Sequence, residues 1–292
     1  PDRADTPGWL WRSWERAYGP AAARAIAAAH RREAPLDVTP KAPSDAMALS
    51  ERLAAAALPT GSLRLEDAGS VMALDGFSEG AWWVQDAAAA LPAKLLGDIA
   101  GRDILDLCAA PGGKTMQLAA AGGRVVAVDS VGDRLKRVQE NLARVKLSAE
   151  TIKADVLEWA PERQWPFILL DAPCTATGTL RRRPDVAWAL SENDVATMAR
   201  VQSRMLARAS AWLEPGGVLV FATCSLQPDE GEAQIRAFLD GRDDWRRTPV
   251  RAEEIGGLSS AITAEGDLRT LPSFWAEKGG MDGFFAARLT KL

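Results

Sequence analysis

The sequence predicts an α/β fold: a mostly parallel, doubly wound sheet with an antiparallel C-terminal strand, preceded by a small α+β module. Three observations lead there. From about residue 80 onward, apolar strand-like runs alternate with helical stretches. Asp106-Leu-Cys-Ala-Ala-Pro-Gly-Gly-Lys-Thr115 joins one such run to a helix through a glycine turn. Asp129 closes the next strand about 20 residues later, the spacing at which an acidic side chain meets ribose hydroxyls in a Rossmann-like site.

Residues 1–80 form the expected module. Leu10, Trp11 and Trp14 fall near one face of a short helix over 8–18, which Gly19-Pro20 ends before a second helix, 21–30. The tryptophans read as the module's own core. Prolines at both ends keep Pro35-Leu-Asp-Val-Thr-Pro-Lys41 extended. Ser44 is the expected N-cap of a helix to Ala57, stopped by Pro59-Thr-Gly61. Short alternating stretches follow at 62–65 and 71–74. The second unit, residues 81–292, begins with a helix over Gln85–Leu96. Strands are then expected at 103–108, 124–128, 150–154, 167–171 and 217–223, with helices at 131–146, 191–213 and 229–240. The last strand, 283–292, is expected antiparallel beside its neighbour.

Composition narrows the function. At 47% hydrophobic and 25% charged residues, with net charge −4, the chain is an ordinary globular protein. That charge argues against coating nucleic acid by bulk electrostatics, so such a partner needs local basic patches. No apolar stretch approaches the roughly 18 residues of a membrane span. Cys108, Cys174 and Cys224 lie far apart and outside any C-x-x-C pair, which predicts free thiols, no metal site and a reducing, cytoplasmic setting. His30 is the only histidine, beside Arg31 and Arg32, and reads as a solvated helix-end residue. Histidine triads are excluded, and chemistry falls to Cys, Asp, Glu and Lys. The chain starts at Pro1, so a preceding segment is expected and targeting signals cannot be judged.

Two nucleotide-site readings compete at the glycine loop. A P-loop needs G-x-x-x-x-G-K-[ST]; Gly113-Lys114-Thr115 supplies its end, but the first glycine position holds Cys108. An adenosine site instead uses the loop Cys108, Ala109, Ala110, Pro111, Gly112, Gly113 and Lys114, with Asp129 on the ribose. Asp155, closing the third strand, can accept from an adenine amine, and Arg134 is placed to reach the ribose. Without a full G-x-G-x-x-G, a single adenosine with a short charged tail fits better than a dinucleotide, and S-adenosylmethionine is such a ligand. The fourth and fifth strands end at Asp171-Ala-Pro-Cys174 and Ala222-Thr-Cys224. Neighbouring strand ends lie roughly 5 Å apart, so two thiols could approach one substrate atom.

These motifs, with Val84-Gln-Asp86 and Asp282-Gly-Phe-Phe285, resemble the signatures of the Sun/RsmB family of RNA (cytosine-5)-methyltransferases, in order and spacing from about residue 80 to the C-terminus. The resemblance implies a Rossmann-like class I methyltransferase fold. It also implies transfer of a methyl group from S-adenosylmethionine to C5 of a cytosine in RNA, most often 16S ribosomal RNA. By resemblance Cys224 is the nucleophile that adds to cytosine C6, and Cys174 assists loss of the C5 proton and release. Asp171 meets the cytosine N3 edge, and Lys114 lowers a thiol pKa or orders Asp171. Because Pro-Cys carries the attacking thiol in DNA cytosine-5 methyltransferases, the opposite assignment of the two cysteines stays open. Arg181, Arg182 and Arg183 are the candidate phosphate contacts.

Three departures from the family pattern stand out. Thr175 replaces the usual Ser, and Gly231 interrupts a Pro-Glu-Glu-Asn-Glu-like stretch so that only Glu232 carries over. Leu36–Lys41 lacks the Arg and Asn common in the RNA-contacting module. The helical RNA-binding domain of many bacterial members does not fit in this chain and is expected outside it. A monomer acting on RNA is the expected assembly. Other readings are a tRNA or different rRNA substrate, a P-loop-like nucleotide hydrolase, or a non-catalytic RNA-binding assembly factor.

Overall fold

The computed structural model describes residues 5–66 and 68–292. Helix α1, Gly8–His30, is broken at Gly19, whose φ of 81° separates the two expected helices before Pro20. A four-stranded antiparallel sheet follows, built from β1 (Leu36–Pro40), β2 (Ala56–Ala57), β3 (Leu63–Leu65) and β4 (Trp82–Val84) in the order β2-β3-β1-β4. Helix α2 (Ala46–Leu53) packs Leu49 and Leu53 onto Val38, Leu63, Leu65 and Trp82 of this sheet.

The second part opens with one helical turn, α3 (Leu91–Lys94), and then β5 (Asp103–Leu107), α4 (Gly113–Ala120), β6 (Arg124–Asp129), α5 (Gly132–Arg144) and β7 (Glu150–Lys153). Next come β8 (Trp165–Asp171), α6 (Val186–Ala189), α7 (Glu192–Ala211), β9 (Leu213–Thr223) and α8 (Glu232–Leu239). Three further strands, β10 (Trp245–Arg247), β11 (Leu268–Arg269) and β12 (Phe285–Lys291), complete the chain. The large sheet runs β10-β12-β9-β8-β5-β6-β7, with β11 also on β12. Strands β9 to β7 are parallel, and β12 is antiparallel to β9, as the alternating pattern and the tail predicted. The fold class is the one read from the sequence.

Both faces of the sheet are covered, which is why its strands are continuous apolar runs. Leu105, Ile168, Leu170, Leu219 and Phe221 point into one core. Their chain neighbours Ile104, Phe167, Leu169, Val220 and Ala222 point into the other. The order of strand addition reverses between β5 and β8: β6 and β7 extend the sheet one way, β8 and β9 the other. Ligands of such sheets bind outside the carboxyl ends of strands at that switch point.

Several local expectations change. Only one turn of the helix expected over Gln85–Leu96 forms. Asp86 captures the Ala88 N–H with its own carboxylate (2.8 Å) and so starts turns instead of a helix. The helix from Ser44 starts at Ala46 and stops at Ala54, which takes φ 48°, while the Ser44 hydroxyl donates to Asp45 and caps nothing. Residues Val71–Ala73 form a 3-10 turn in place of a strand. The helix from 229 begins at Glu232, after a 3-10 turn over Pro228–Glu230. The small sheet runs past residue 80, because β4 pairs with β1. The tryptophan-bearing helix is not the core of that module: Leu10, Trp11, Trp14 and Ile26 pack on Leu180, Ala187, Leu226 and Leu271 of the second part.

His30 departs furthest from expectation. It packs on Trp14 with ring centroids 5.3 Å apart, and neither ring nitrogen has a hydrogen-bond partner. Burial of its ring nitrogens, aided by the Arg181 charge, pushes its pKa down to about 3, so the half-buried ring is neutral.

Candidate active site

Each strand at the switch point delivers one component. After β5, Cys108 adopts φ 61° and Gly112 φ 102°, so the chain folds back to start α4. A Cβ at Gly112 would lie 3.2 Å from Val138 Cγ1 on α5, so both backbone and packing call for glycine there. Asp129, buried at the end of β6, braces this loop. Its Oδ2 accepts from Ala110 N (3.1 Å) and its Oδ1 from Val131 N (3.1 Å). Arg134 donates to Ala110 O (2.9 Å), so its guanidinium supports the loop as well as facing the cavity. Asp155 forms a turn with Leu157 N (2.8 Å) and stays exposed at the rim. Cys108, Ala110, Pro111, Asp129, Arg134, Asp155, Asp171, Cys174 and Cys224 line one cavity of about 420 Å³. Burial first, then Asp171, Asp129 and Asp106, hold the Cys108 thiol protonated.

Beneath the loop lies a polar contact that the sequence reading did not single out. Fully buried Asp106 accepts from Thr115 Oγ1 (2.6 Å), tying β5 to α4. Burial and the nearby Asp171 charge push its pKa up to about 7, against the pull of the Thr115 hydrogen bond. Gln85 accepts from Thr39 Oγ1 (2.9 Å) and donates to Gln117 Oε1 (3.1 Å), which links the small sheet to α4.

The second half of the site comes from β8 and β9, where Asp171 lies opposite Ala222 in parallel register. Two or three residues further on, the sulfurs of Cys174 and Cys224 are 3.4 Å apart. Lys114 reaches across from α4 to Asp171 (2.7 Å), its ammonium over the Phe284 ring at 5.0 Å. Burial opposes its charge, but Asp171, Cys224 and Asp106 together raise its pKa, so Lys114 stays an ammonium. Cys174 is pushed well above the ordinary thiol value by its hydrogen bond to Cys224, by burial, and by the charges of Cys224 and Glu230. The loops after the two cysteines meet at Gly178, whose N–H donates to Cys224 O (2.9 Å). A Cβ there would sit 2.0 Å from Gly283 O, which explains the glycines in both motifs.

The arginine run divides. Arg181 is buried, donating to Asp282 (2.9 Å), Asp86 (2.6 Å) and Gly279 O (2.9 Å). Arg182 donates to the same two carboxylates. Arg181, expected as a phosphate contact, has its guanidinium buried inside the protein, where it shares with Arg182 the charge of two buried carboxylates. Arg183 remains exposed. Glu230, a residue the motif reading passed over, is fully buried between the two cysteine loops. Among the described residues no His, Cys, Asp and Glu group is arranged to hold a metal, and no helix is long and apolar enough to cross a membrane.

The donor set suits S-adenosylmethionine. The cavity offers carboxylates at the ends of β6 and β8 and at the turn after β7, and a glycine turn that brings backbone close. Lys114 is directed to Asp171 and away from any phosphate cradle.

The comparisons agree with this geometry. A family model described as 16S rRNA methyltransferase RsmB/F matches residues 93–290. A protein of Salmonella arizonae named ribosomal RNA small subunit methyltransferase B is 43% identical over 79% of this chain and 52% of its own length. The protein of that name from Vibrio cholerae is 38% identical over 98% of this chain and 65% of its own. The chain thus spans about half to two thirds of these curated relatives. A crystal structure of a methyltransferase homologue from Pyrococcus horikoshii superposes with a TM-score of 0.79 at 25% identity, covering 96% of this chain and 94% of that one. The family model covers more than half of the chain, and the chain belongs to the 16S rRNA methyltransferase RsmB/F family.

Proposed function

We propose that this protein methylates C5 of a cytosine in RNA, with 16S ribosomal RNA as substrate, through a covalent bond between Cys224 and C6 of the base. The observation that carries the reading is the 3.4 Å pair of sulfurs at the carboxyl ends of β8 and β9, on the wall of the cavity that suits the cofactor. Aromatic C5 is a poor nucleophile. Addition of a thiolate to C6 forms a C–S bond and shifts the C5–C6 pair toward C5, making it enamine-like. S-adenosylmethionine, when bound, supplies an electrophilic sulfonium methyl for that carbon. A base then takes the C5 proton, the C5–C6 double bond re-forms, and the C–S bond breaks to return the Cys224 thiolate.

The division of labour follows from the electrostatics. Cys174 stands in the field of Cys224 and Glu230, which favours its protonated form. A thiol held protonated is the weaker nucleophile of the pair, which supports Cys224 as the attacking group; Cys174 takes the C5 proton only after giving up its own. In this reading Asp171, paired with Lys114 at 2.7 Å, holds the N3 edge of the base. Because the sulfurs sit on the cavity wall, the target cytosine must be unpaired or extruded. Exposed Arg183 is the remaining candidate of its run for a phosphate contact.

Cysteine variants test the reading. Cys224→Ala should abolish methyl transfer from labelled cofactor to 16S RNA. Cys174→Ala should accumulate a protein–RNA adduct that survives denaturant. An adduct trapped by the Cys224 variant instead would reverse the two roles.

A further inference from the structure

Behind the two thiols lies a side chain that the reaction as described does not use. Glu230, on the 3-10 turn between β9 and α8, has no solvent exposure. Its Oε1 accepts from Thr175 N (2.9 Å) and from Gln202 Nε2 (3.0 Å). Its Oε2 accepts from the hydroxyls of Thr175 and of Ser225, the latter at 2.5 Å. Thr175 directly follows Cys174, and Ser225 directly follows Cys224. One carboxylate therefore clamps the residue after each cysteine. Gln202, also fully buried on α7, fixes the clamp from behind by donating to Pro173 O (2.9 Å) as well.

A buried carboxylate is costly unless hydrogen-bonded, and four donors converge here on two oxygens. The energetic weight falls on the geometry of the loops, because strands β8 and β9 end before either cysteine and ladder hydrogen bonds no longer set their spacing. We propose that Glu230 is a positioning residue for methyl transfer: it ties the Cys174 loop to the Cys224 loop and sets the separation and proton distribution of the sulfur pair. The inference rests on the catalytic reading above and deepens it.

The groups facing Cys174 are few. Cys224 comes from the end of β9 and Glu230 from the following turn, while Asp171 precedes it on β8 with Lys114 from α4 beside it. Glu230 contributes negative charge that keeps the Cys174 proton in place. Neutralising Glu230 should make that proton easier to lose.

The test uses the whole chain and the decay of the covalent adduct on RNA, followed against pH. Glu230→Gln keeps the shape and hydrogen-bonding reach while removing the charge, because both hydroxyls can turn to accept from the amide. Its thermal midpoint should stay close to that of the unmodified protein. The rising limb of adduct decay should move about one pH unit lower, and the maximal rate should fall about tenfold through looser alignment. A merely structural glutamate would lower activity only in proportion to folded protein and leave the pH profile in place, and that result would overturn the proposal. Should Glu230→Gln not fold, Ser225→Ala cuts one tether and keeps the charge. It should slow turnover with an unmoved profile, and unaltered turnover would overturn the proposal too. Methyl transfer by Cys224→Ala would defeat the catalytic reading itself, a separate outcome from an inert Glu230→Gln.

Discussion

His30 shows how far one residue's behaviour depends on what folds over it. Beside two arginines at a helix end it reads as solvated, yet α1 lies on the second part of the molecule and presses the ring against Trp14. Its folded pKa, about 3, lies below the ordinary value of 6.5, so the folded state carries fewer protons between those limits. Its contribution to stability is complete above pH 6.5 and is lost as pH falls toward 3. His30→Leu should therefore move the acid-unfolding midpoint to lower pH, measured by circular dichroism. An unchanged midpoint would mean the ring is not buried neutral. Cys108 is a contrasting case, a thiol read as structural that stays protonated at the cavity wall through burial.

At the scale of elements, the segment from Gln85 to Leu96 is instructive. Its apolar periodicity suggests a helix, but Asp86 is committed to a distant partner set: Arg181 and Arg182 after β8, and the Asp282 N–H before β12. Burial raises the Asp86 pKa, and the two arginines outweigh it and hold the carboxyl ionised. The Val84-Gln-Asp86 and Asp282-Gly-Phe-Phe285 motifs are thus two ends of one ionic knot around the arginine run. Removing Arg181 leaves two buried carboxylates short of charge. Arg181→Ala should cost about 3–5 kcal/mol in urea unfolding, and a loss under 1 kcal/mol would show that the knot contributes little.

Across the whole molecule, the small sheet is fastened to the large part by buried polar contacts. Asp37 and Arg64 form a bidentate pair at 2.7 Å, and Asp37 also accepts from Ala87 N (2.9 Å). Arg64 donates onward to Lys278 O (2.7 Å) and Gly280 O (2.6 Å). With these bonds and the Gln85 link to α4, the two sheets should unfold in one transition. Arg64→Ala should split it, with the small sheet melting first, as followed by hydrogen exchange on β1 and β3 against β5 and β8. Coincident exchange in that variant would place the fastening elsewhere.

The sequence by itself determined the strand alternation, the parallel sheet, the glycine loop and the three carboxylate positions, because periodicity and turn chemistry are local properties. It also put Cys174 and Cys224 just past strand ends, while the pairing of those two strands comes from the structure. Only the tertiary structure decided which polar side chains are free. Arg181, His30 and Glu230 each look like surface residues in one dimension; Arg181 and Glu230 are committed by hydrogen-bond partners 5 to 101 residues away, and His30 by the Trp14 ring. Burial is a property of the assembled chain: a charge is shaped by the groups that converge on it, and no window along the sequence contains them.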